Sequence, residues 1–220
     1  QVPKRMADFL GIPLQQVIYN EEPVILEGGA IDVNGKGTLL TSEECLLDPK
    51  IQVRNPGFTK EDYEKIFEKY FGITNTIWLG KGIAGDDTHG HIDDLCRFVD
   101  AKTIVTVVET DTSDPNYTVL QDNLARLELA KLEDGSTPRV VALPMPKRID
   151  YEDLRLPASY ANFLILNKTV LVPTFNDLND SVALKTLSEL FPNRKVIGIC
   201  ALDLVWGLGT LHCLSQQIPS

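Results

Sequence analysis

Residues 85–95, "GDDTHGHIDDL", gather two of the chain's three histidines and four aspartates, with His89, His91 and Asp93 spaced so that all three could turn toward one point. Imidazole titrates near neutral pH, and carboxylates bind metal ions or planar cations. The segment therefore fits either a metal site or an acid/base corner whose other members lie elsewhere. The third histidine, His212, adjoins Cys213 far along the chain, and Glu27 stands before a Gly28-Gly29 pair. A thiolate is the most potent side-chain nucleophile near neutral pH, so Cys213, His91 and the acids could together attack an electrophilic carbon and manage its protons. Plainer uses exist for each neighbour. Glu27 also fits a strand end before a flexible turn. Asp86 and Asp87 fit loop or cap residues, because Asp readily accepts from nearby backbone N–H groups. His89 fits a structural or supporting place. Cys45, Cys96 and Cys200 lie in apolar, strand-like runs where a buried, inert thiol is expected. Asn162 and Trp206 fall near predicted strand starts and could face a central channel, with core packing the expected use of Trp206.

Composition narrows the partners. The chain has 220 residues, 43% hydrophobic and 24% charged, enough for one large or two small soluble globular domains. A formal net charge of −10, with no basic run longer than Lys147-Arg148, argues against nucleic acid or anionic lipid and suits a small cationic ligand. Apolar stretches such as "FLIL" and "VLV" are strand-sized, far below the roughly 18 residues of a membrane helix. The four cysteines are scattered without a C-x-x-C pair, which points away from a zinc ribbon or disulfide framework and toward a reducing, cytoplasmic setting. The opening "QVPKRMADFLG" lacks an initiator Met and a signal-peptide pattern and reads as an amphipathic helix entering a fold, so the chain is expected to be part of something longer. Oligomeric state is open, with a homo-oligomer among the assemblies the sequence allows.

The elements that would position these groups recur. Residues 24–40, "VILEGGAIDVNGKGTLL", read as two short strands joined at Asn34-Gly35, where both residues tolerate positive φ. "TKEDYEKIFEKYFG" places Tyr63, Ile66, Phe67 and Tyr70 at helical spacing between a Thr59 cap and a Gly72 stop, and "NTIWLG" resumes as a strand. The same order returns in "HIDDLCRFVDAKTIVTVVE", "NYTVLQDNLARLELAKL" and "RVVALPMP". It returns again in "YANFLILNKTVLVPTF", "SVALKTLSELF" capped by Asn179 or Asp180, and "KVIGIC". Repeated ββαβ units packed side by side would each bury a face that none could bury alone. "DLVWGLGTLHCLSQQIP" then reads as the opening hairpin of a fourth unit cut short. The beginnings of first strands would carry Glu27 in the first unit, His91 and Asp93 in the second, and Cys213 in the fourth, so pseudo-symmetry would converge them near one axis.

Two resemblances bear on the choice between chemistries. "THGHIDD" resembles the H-x-H-x-D-H signature of metallo-β-lactamase-like hydrolases, with Asp94 where the last His should stand. Only His212 remains to complete such a ligand set, fewer imidazoles than those sites use. The segments "LEGGAIDVNGKGT", "GDDTHGHIDDLCRFV", "LPASYANFLI", "VPTFND" and "VWGLGTLHCLSQQ" together resemble the agmatine deiminase family, relatives of the bacterial peptidyl-arginine deiminases in the guanidine-modifying superfamily. That resemblance implies a five-bladed α/β propeller of ββαβ units. Residues 1–220 would be the C-terminal portion of a single pseudo-symmetric propeller domain, about three units plus part of a fourth. It implies Cys213 as nucleophile, His91 as general acid/base, Asp93 as a guanidinium-binding carboxylate and Glu27 as the partner orienting His91, with no metal and no organic cofactor. The implied reaction converts agmatine and water to N-carbamoylputrescine and ammonia, with peptidyl arginine as the alternative substrate. The family draws a second guanidinium-binding Asp and part of the tail pocket from a region N-terminal to these residues. Readings from other classes are a metal-dependent hydrolase using His89, His91 and Asp93, and a non-catalytic guanidine- or polyamine-binding propeller.

Overall fold

A computed structural model describes residues 2–218. Helix α1 (Val2–Leu10) forms where the amphipathic pattern places it, with Ala7 its one buried residue, and a small ribbon of β1 (Ile18–Tyr19) and β2 (Glu22–Pro23) follows. The first ββαβ unit comprises β3 (Asp32–Val33), β4 (Thr38–Ser42), a short helix α2 (Glu43–Leu47), α3 (Lys60–Phe71) and β5 (Asn75–Leu79). The second is β6 (Cys96–Phe98), β7 (Thr103–Val108), α4 (Asn116–Leu129) and β8 (Arg139–Pro144). A second ribbon, β9 (Asp150–Tyr151) with β10 (Leu154–Arg155), precedes the third unit of β11 (Leu164–Ile165), β12 (Thr169–Thr174), α5 (Asn179–Leu190) and β13 (Lys195–Cys200).

Each unit has one topology. A hairpin pairs the first two strands antiparallel, and a crossover helix returns the third parallel to the second. The central strand of each sheet is the most deeply buried. Leu39 and Leu40 in β4, Ile104 and Val105 in β7, and Val170 and Val172 in β12 are fully enclosed. One apolar core runs through the second and third units and takes in Leu40, Ile77 and Leu79 of the first; a smaller one under α3 holds Leu39, Tyr63, Phe67 and Ile73. Helix α3 has both termini that its sequence announces. Thr59 and Asp62 form a reciprocal capping box, and Gly72 turns left-handed at φ 68° to end the helix. No described helix is long and apolar enough to cross a membrane.

Several expectations are corrected in detail. The first strand begins at Asp32 rather than Val24, because Gly28–Ala30 winds into a 3-10 turn. The hairpin loop spans residues 34–37: Gly35 and Gly37 take positive φ, while Asn34 contributes through its side chain, which accepts from the backbone N–H groups of Lys36, Gly37 and Thr38. Helix α5 is not capped by Asn179 or Asp180. Asp177 accepts from the Asn179 N–H, and Asp180 reaches back to the backbone of Phe175 and Asp177 and to the Tyr160 hydroxyl. Among the described residues no strand follows Cys200: a 3-10 turn at Leu204–Gly207 and further turns carry the chain past Cys213. Trp206 is exposed and packs against Tyr151 with ring centroids 4.0 Å apart, not in the core. Cys45 lies in a helix rather than a strand, though buried as expected, whereas Cys200 is exposed.

Candidate active site

The candidate residues sit in the irregular segments that lead into the units' first strands, which frees their side chains from the sheets' alternation. Glu27 precedes the 3-10 turn before β3, His91 and Asp93 lie at the 3-10 turn of Ile92–Asp94 before β6, and Asn162 stands two residues before β11. The first two turns pack on each other. The loop that presents His91 is built on Asp86, a buried carboxylate that accepts from the N–H groups of Thr88, Gly90 and His91 and from the Thr88 hydroxyl. That is the loop role expected of it. Asp87 is exposed.

Asp93 is fully buried and central. Its Oδ2 accepts a 2.6 Å hydrogen bond from His212 Nδ1 and lies 3.5 Å from Cys213 Sγ, while Oδ1 lies 4.0 Å from His91 Nδ1 and has no hydrogen-bond partner among the described residues. Burial works to raise this carboxyl's pKa, but the hydrogen bond and charge of His212, with His91 and Arg97, outweigh it and hold the group below the usual carboxylate range. Its neighbour Asp94 goes the other way. Burial first, then the charges of Asp93 and Asp86, push Asp94 well above that range, against the Asn162 hydrogen bond and Arg97. Of the adjacent pair, Asp93 is the one that keeps its charge.

Cys213 is an exposed residue whose sulfur is turned into this carboxylate cluster. Desolvation, then Asp94 and Asp93, raise its thiol above the ordinary value, opposed by donors including Asn162. In the free protein the sulfur is a neutral thiol at pH 7, and a cation arriving at Asp93 would offset the carboxylates and favour the thiolate.

Asn162 holds the nucleophile's loop. Fully buried, it donates from Nδ2 to Cys213 Sγ and to Asp94 Oδ1, both at 3.0 Å, and its Oδ1 accepts from Thr210 Oγ1 and from the N–H groups of His212 and Cys213. Asn162→Ala is expected to lose a hydrogen bond that favours the thiolate, worth about 1 kcal/mol or roughly a fivefold change. Alkylation of Cys213 by iodoacetamide, followed by peptide mapping against pH, should shift to higher pH and slow about fivefold at neutrality. An unchanged profile would leave Asn162 with a purely architectural part.

Glu27 departs from the role expected of it. A carboxylate oxygen lies within 4.8 Å of a His91 ring nitrogen and of Cys45 Sγ, but Oε1 accepts its hydrogen bond from Arg54 Nε at 3.0 Å, and among the described residues neither Oε2 nor His91 Nε2 has a partner. Arg54, also tied to the carbonyls of Cys45 and Thr88, is a site-wall residue that sequence reasoning missed. Burial, with Glu27 adding and Arg54 opposing, pushes the Cys45 thiol up to about 12, so it is inert as a nucleophile.

The Gly-Gly pair has a steric reason. A Cβ on Gly29 would stand 2.5 Å from His91 Nδ1 and about 3 Å from both carboxylate oxygens of Asp93. Gly29→Ala is therefore expected to keep the fold and displace both groups by up to about 1 Å, a misplacement that costs roughly 10²-fold in turnover. Retention of most turnover would show that the close approach is incidental.

His89 is not brought to this cluster. It takes positive φ and is only partly buried, and neither group of metal-capable side chains found among the described residues includes it. The arrangement of His89, His91 and Asp93 around one point does not form.

What assembles is a mixed α/β scaffold of repeated ββαβ units with a thiol, an imidazole and a charged, half-satisfied carboxylate converging at the entrances to their first strands. The same scaffold occurs in an amidinotransferase from Microseira wollei, at 16% identity and a TM-score of 0.52, a likeness of fold alone. Over residues 1–219 the sequence matches the Porphyromonas-type peptidyl-arginine deiminase family, and the chain belongs to that family. The agmatine deiminase of C. jejuni, in a cysteine-to-serine form with substrate bound, superposes with a TM-score of 0.85 at 37% identity, covering 96% of this chain and 60% of that one. The agmatine deiminase of Enterococcus faecalis gives 0.89 at 31% identity, covering 98% and 62%. A Marinomonas sp. (strain MWYL1) protein that carries the provisional name agmatine deiminase is 38% identical over 99% of this chain and 62% of its own length. The chain thus spans about three fifths of the curated relatives it matches.

Proposed function

We propose that these residues are the C-terminal portion of a five-bladed α/β propeller whose full-length form is a cytoplasmic agmatine deiminase. The observation that carries the reading is the unpaired, buried Oδ1 of a charged Asp93 on the carboxylate that reaches within 3.5 Å of Cys213 Sγ. A planar guanidinium N–H satisfies that oxygen and brings its carbon to the sulfur. The similarity to agmatine deiminases favours agmatine over peptidyl arginine.

In this reading the bound cation favours the thiolate, His91 takes the Cys213 proton, and the thiolate adds to the guanidinium carbon. His91 protonates the leaving nitrogen as the C–N bond breaks and ammonia departs, leaving an S-alkylthiouronium on Cys213. Water then adds to that carbon, His91 takes its proton, and the C–S bond breaks to return the thiolate and release the ureido product. Asp93 fixes the guanidinium plane, and His212 holds the other oxygen of Asp93 in place. Glu27 acts on His91 from the wall of the site rather than through a direct hydrogen bond, with Arg54 holding its carboxylate. A second guanidinium-binding carboxylate from outside these residues completes the grip on the substrate.

The test is product analysis with full-length protein. Agmatine should yield equimolar ammonia and N-carbamoylputrescine, faster than a C-terminal arginyl peptide is converted, and dialysis against a strong chelator should not lower the rate. Faster conversion of the peptide would give the peptidyl-arginine reading. Agmatine binding without ammonia would indicate a non-catalytic module, and loss of activity on chelation that zinc restores would indicate a metal hydrolase.

A further inference from the structure

The site has a second cluster of donors whose thiol this reaction does not use. His91 is buried, and while its Nδ1 faces Asp93, its Nε2 has no hydrogen-bond partner among the described residues. Glu27 Oε2 is likewise buried and unpartnered. Between them stands a thiol: a carboxylate oxygen of Glu27, Sγ of Cys45 and a ring nitrogen of His91 all lie within 4.8 Å of one another. The positions are fixed by the surrounding structure. Cys45 is held in α2 by its N–H bond to the Ser42 hydroxyl, and Arg54 anchors Glu27 through Oε1, leaving Oε2 unpaired.

One oxygen, one sulfur and one nitrogen donor, two of them bearing unsatisfied buried atoms, make a set that zinc accepts. Its bonds to such donors run about 2.0–2.3 Å, which in a tetrahedron separates the donors by about 3.3–3.8 Å. The three groups need close by no more than about 1.5 Å, within the reach of small side-chain rotations, with the fourth position left to water. We propose that Glu27, Cys45 and His91 form an inhibitory binding site for zinc or a similar borderline divalent cation. The thiolate selects such ions over magnesium and calcium, which prefer all-oxygen ligation. A metal on the imidazole takes the lone pair that must carry protons, so binding and turnover exclude each other. That consequence rests on the hydrolase reading; the binding itself does not. The Arg54 guanidinium beside Glu27 opposes the incoming charge and keeps the site weaker than a closed structural zinc site, in keeping with reversible control.

A rival set, Asp93, Asp94 and Cys213, also falls within 4.8 Å, so the experiment must separate the two thiols. Cobalt(II) titrated into the full-length Cys213→Ala protein should bind one equivalent with a thiolate-to-cobalt charge-transfer band that zinc abolishes. The band should vanish when Cys45→Ser, a near-isosteric change that spares the fold, is added. No band in Cys213→Ala, or a band that survives Cys45→Ser, overturns the proposal. In the second arm, zinc should inhibit agmatine hydrolysis reversibly by chelator, and Cys45→Ser should leave metal-free turnover unchanged while raising the half-inhibiting zinc concentration roughly tenfold or more. Equal zinc sensitivity in the two proteins overturns the inhibitory role. A protein that shows the cobalt band yet never hydrolyses agmatine keeps the metal site and loses only the hydrolase reading.

Discussion

Cys213→Ala in the full-length protein is expected to fold normally and to release ammonia from agmatine at least roughly 10⁴-fold more slowly than the unsubstituted enzyme. The fold should survive because Cys213 lies in a turn outside every sheet, and its residue is exposed. The substitution removes one partner of Asn162 Nδ2, whose other hydrogen bond, to Asp94, remains. The rate should collapse because no other thiol can substitute: Cys45 and Cys96 are buried with raised thiol pKa values, and Cys200 is exposed at the end of β13. Circular dichroism with a continuous ammonia assay checks both halves, and turnover above a trace would remove the covalent step.

The second large effect is expected from Asp93→Asn. An amide still accepts from His212, so the local hydrogen bond at 2.6 Å has a replacement and the fold should hold. What is lost is the charge that pairs with a guanidinium. Truncating one partner of a buried, charge-assisted contact costs about 2–5 kcal/mol, a loss of roughly 30- to 5,000-fold in kcat/KM. The cost should be divided between KM and kcat, because the same carboxylate binds the cation and sets its carbon against the sulfur. The pH dependence has a definite sign. Asp93 is held below the usual carboxylate range, so its charge is present at neutral pH and is lost only as acid carries the pH down through that lowered value. Cys213 is raised, so without substrate its alkylation should climb with pH beyond the ordinary thiol range. An Asp93→Asn protein with unchanged kcat/KM would place the guanidinium elsewhere.

Much of this was legible in the residues. Periodicity and caps located α3, because Thr59, Asp62 and Gly72 act within a few residues of one another. The order of strands and helices disclosed three units, since alternation and helical spacing are local properties. Pseudo-symmetry led Glu27, His91, Asp93 and Cys213 to one place, and the structure brings His91, Asp93 and Cys213 together with Glu27 beside His91. The same argument set Asn162 near a strand start facing a central channel, and the structure places it at the entry to the third unit, as Glu27 and His91 stand at the entries to the first two. What stayed hidden is nonlocal. The His212–Asp93 bond joins residues 119 apart, and nothing in "LHC" announces that its histidine turns inward to a carboxylate. Arg54 emerges from a loop with no pattern, and its part is fixed only by the walls it meets. The strand expected over residues 24–31 failed because an apolar run before Gly28-Gly29 resembles a strand, while the close approach of Gly29 to His91 requires a turn. The separation of Asp93 from Asp94 in acidity also depends on burial and partners that two adjacent identical letters cannot convey.

The measurement that bears most directly on the account is a single-turnover experiment with full-length enzyme in excess over agmatine, acid-quenched at intervals and mapped by peptide mass spectrometry. The peptide bearing Cys213 should gain the mass of agmatine less ammonia, appear as ammonia is released, and revert as N-carbamoylputrescine forms. Ammonia release through a full turnover with Cys213 unmodified at every quench time, and with turnover abolished by a chelator, would contradict it.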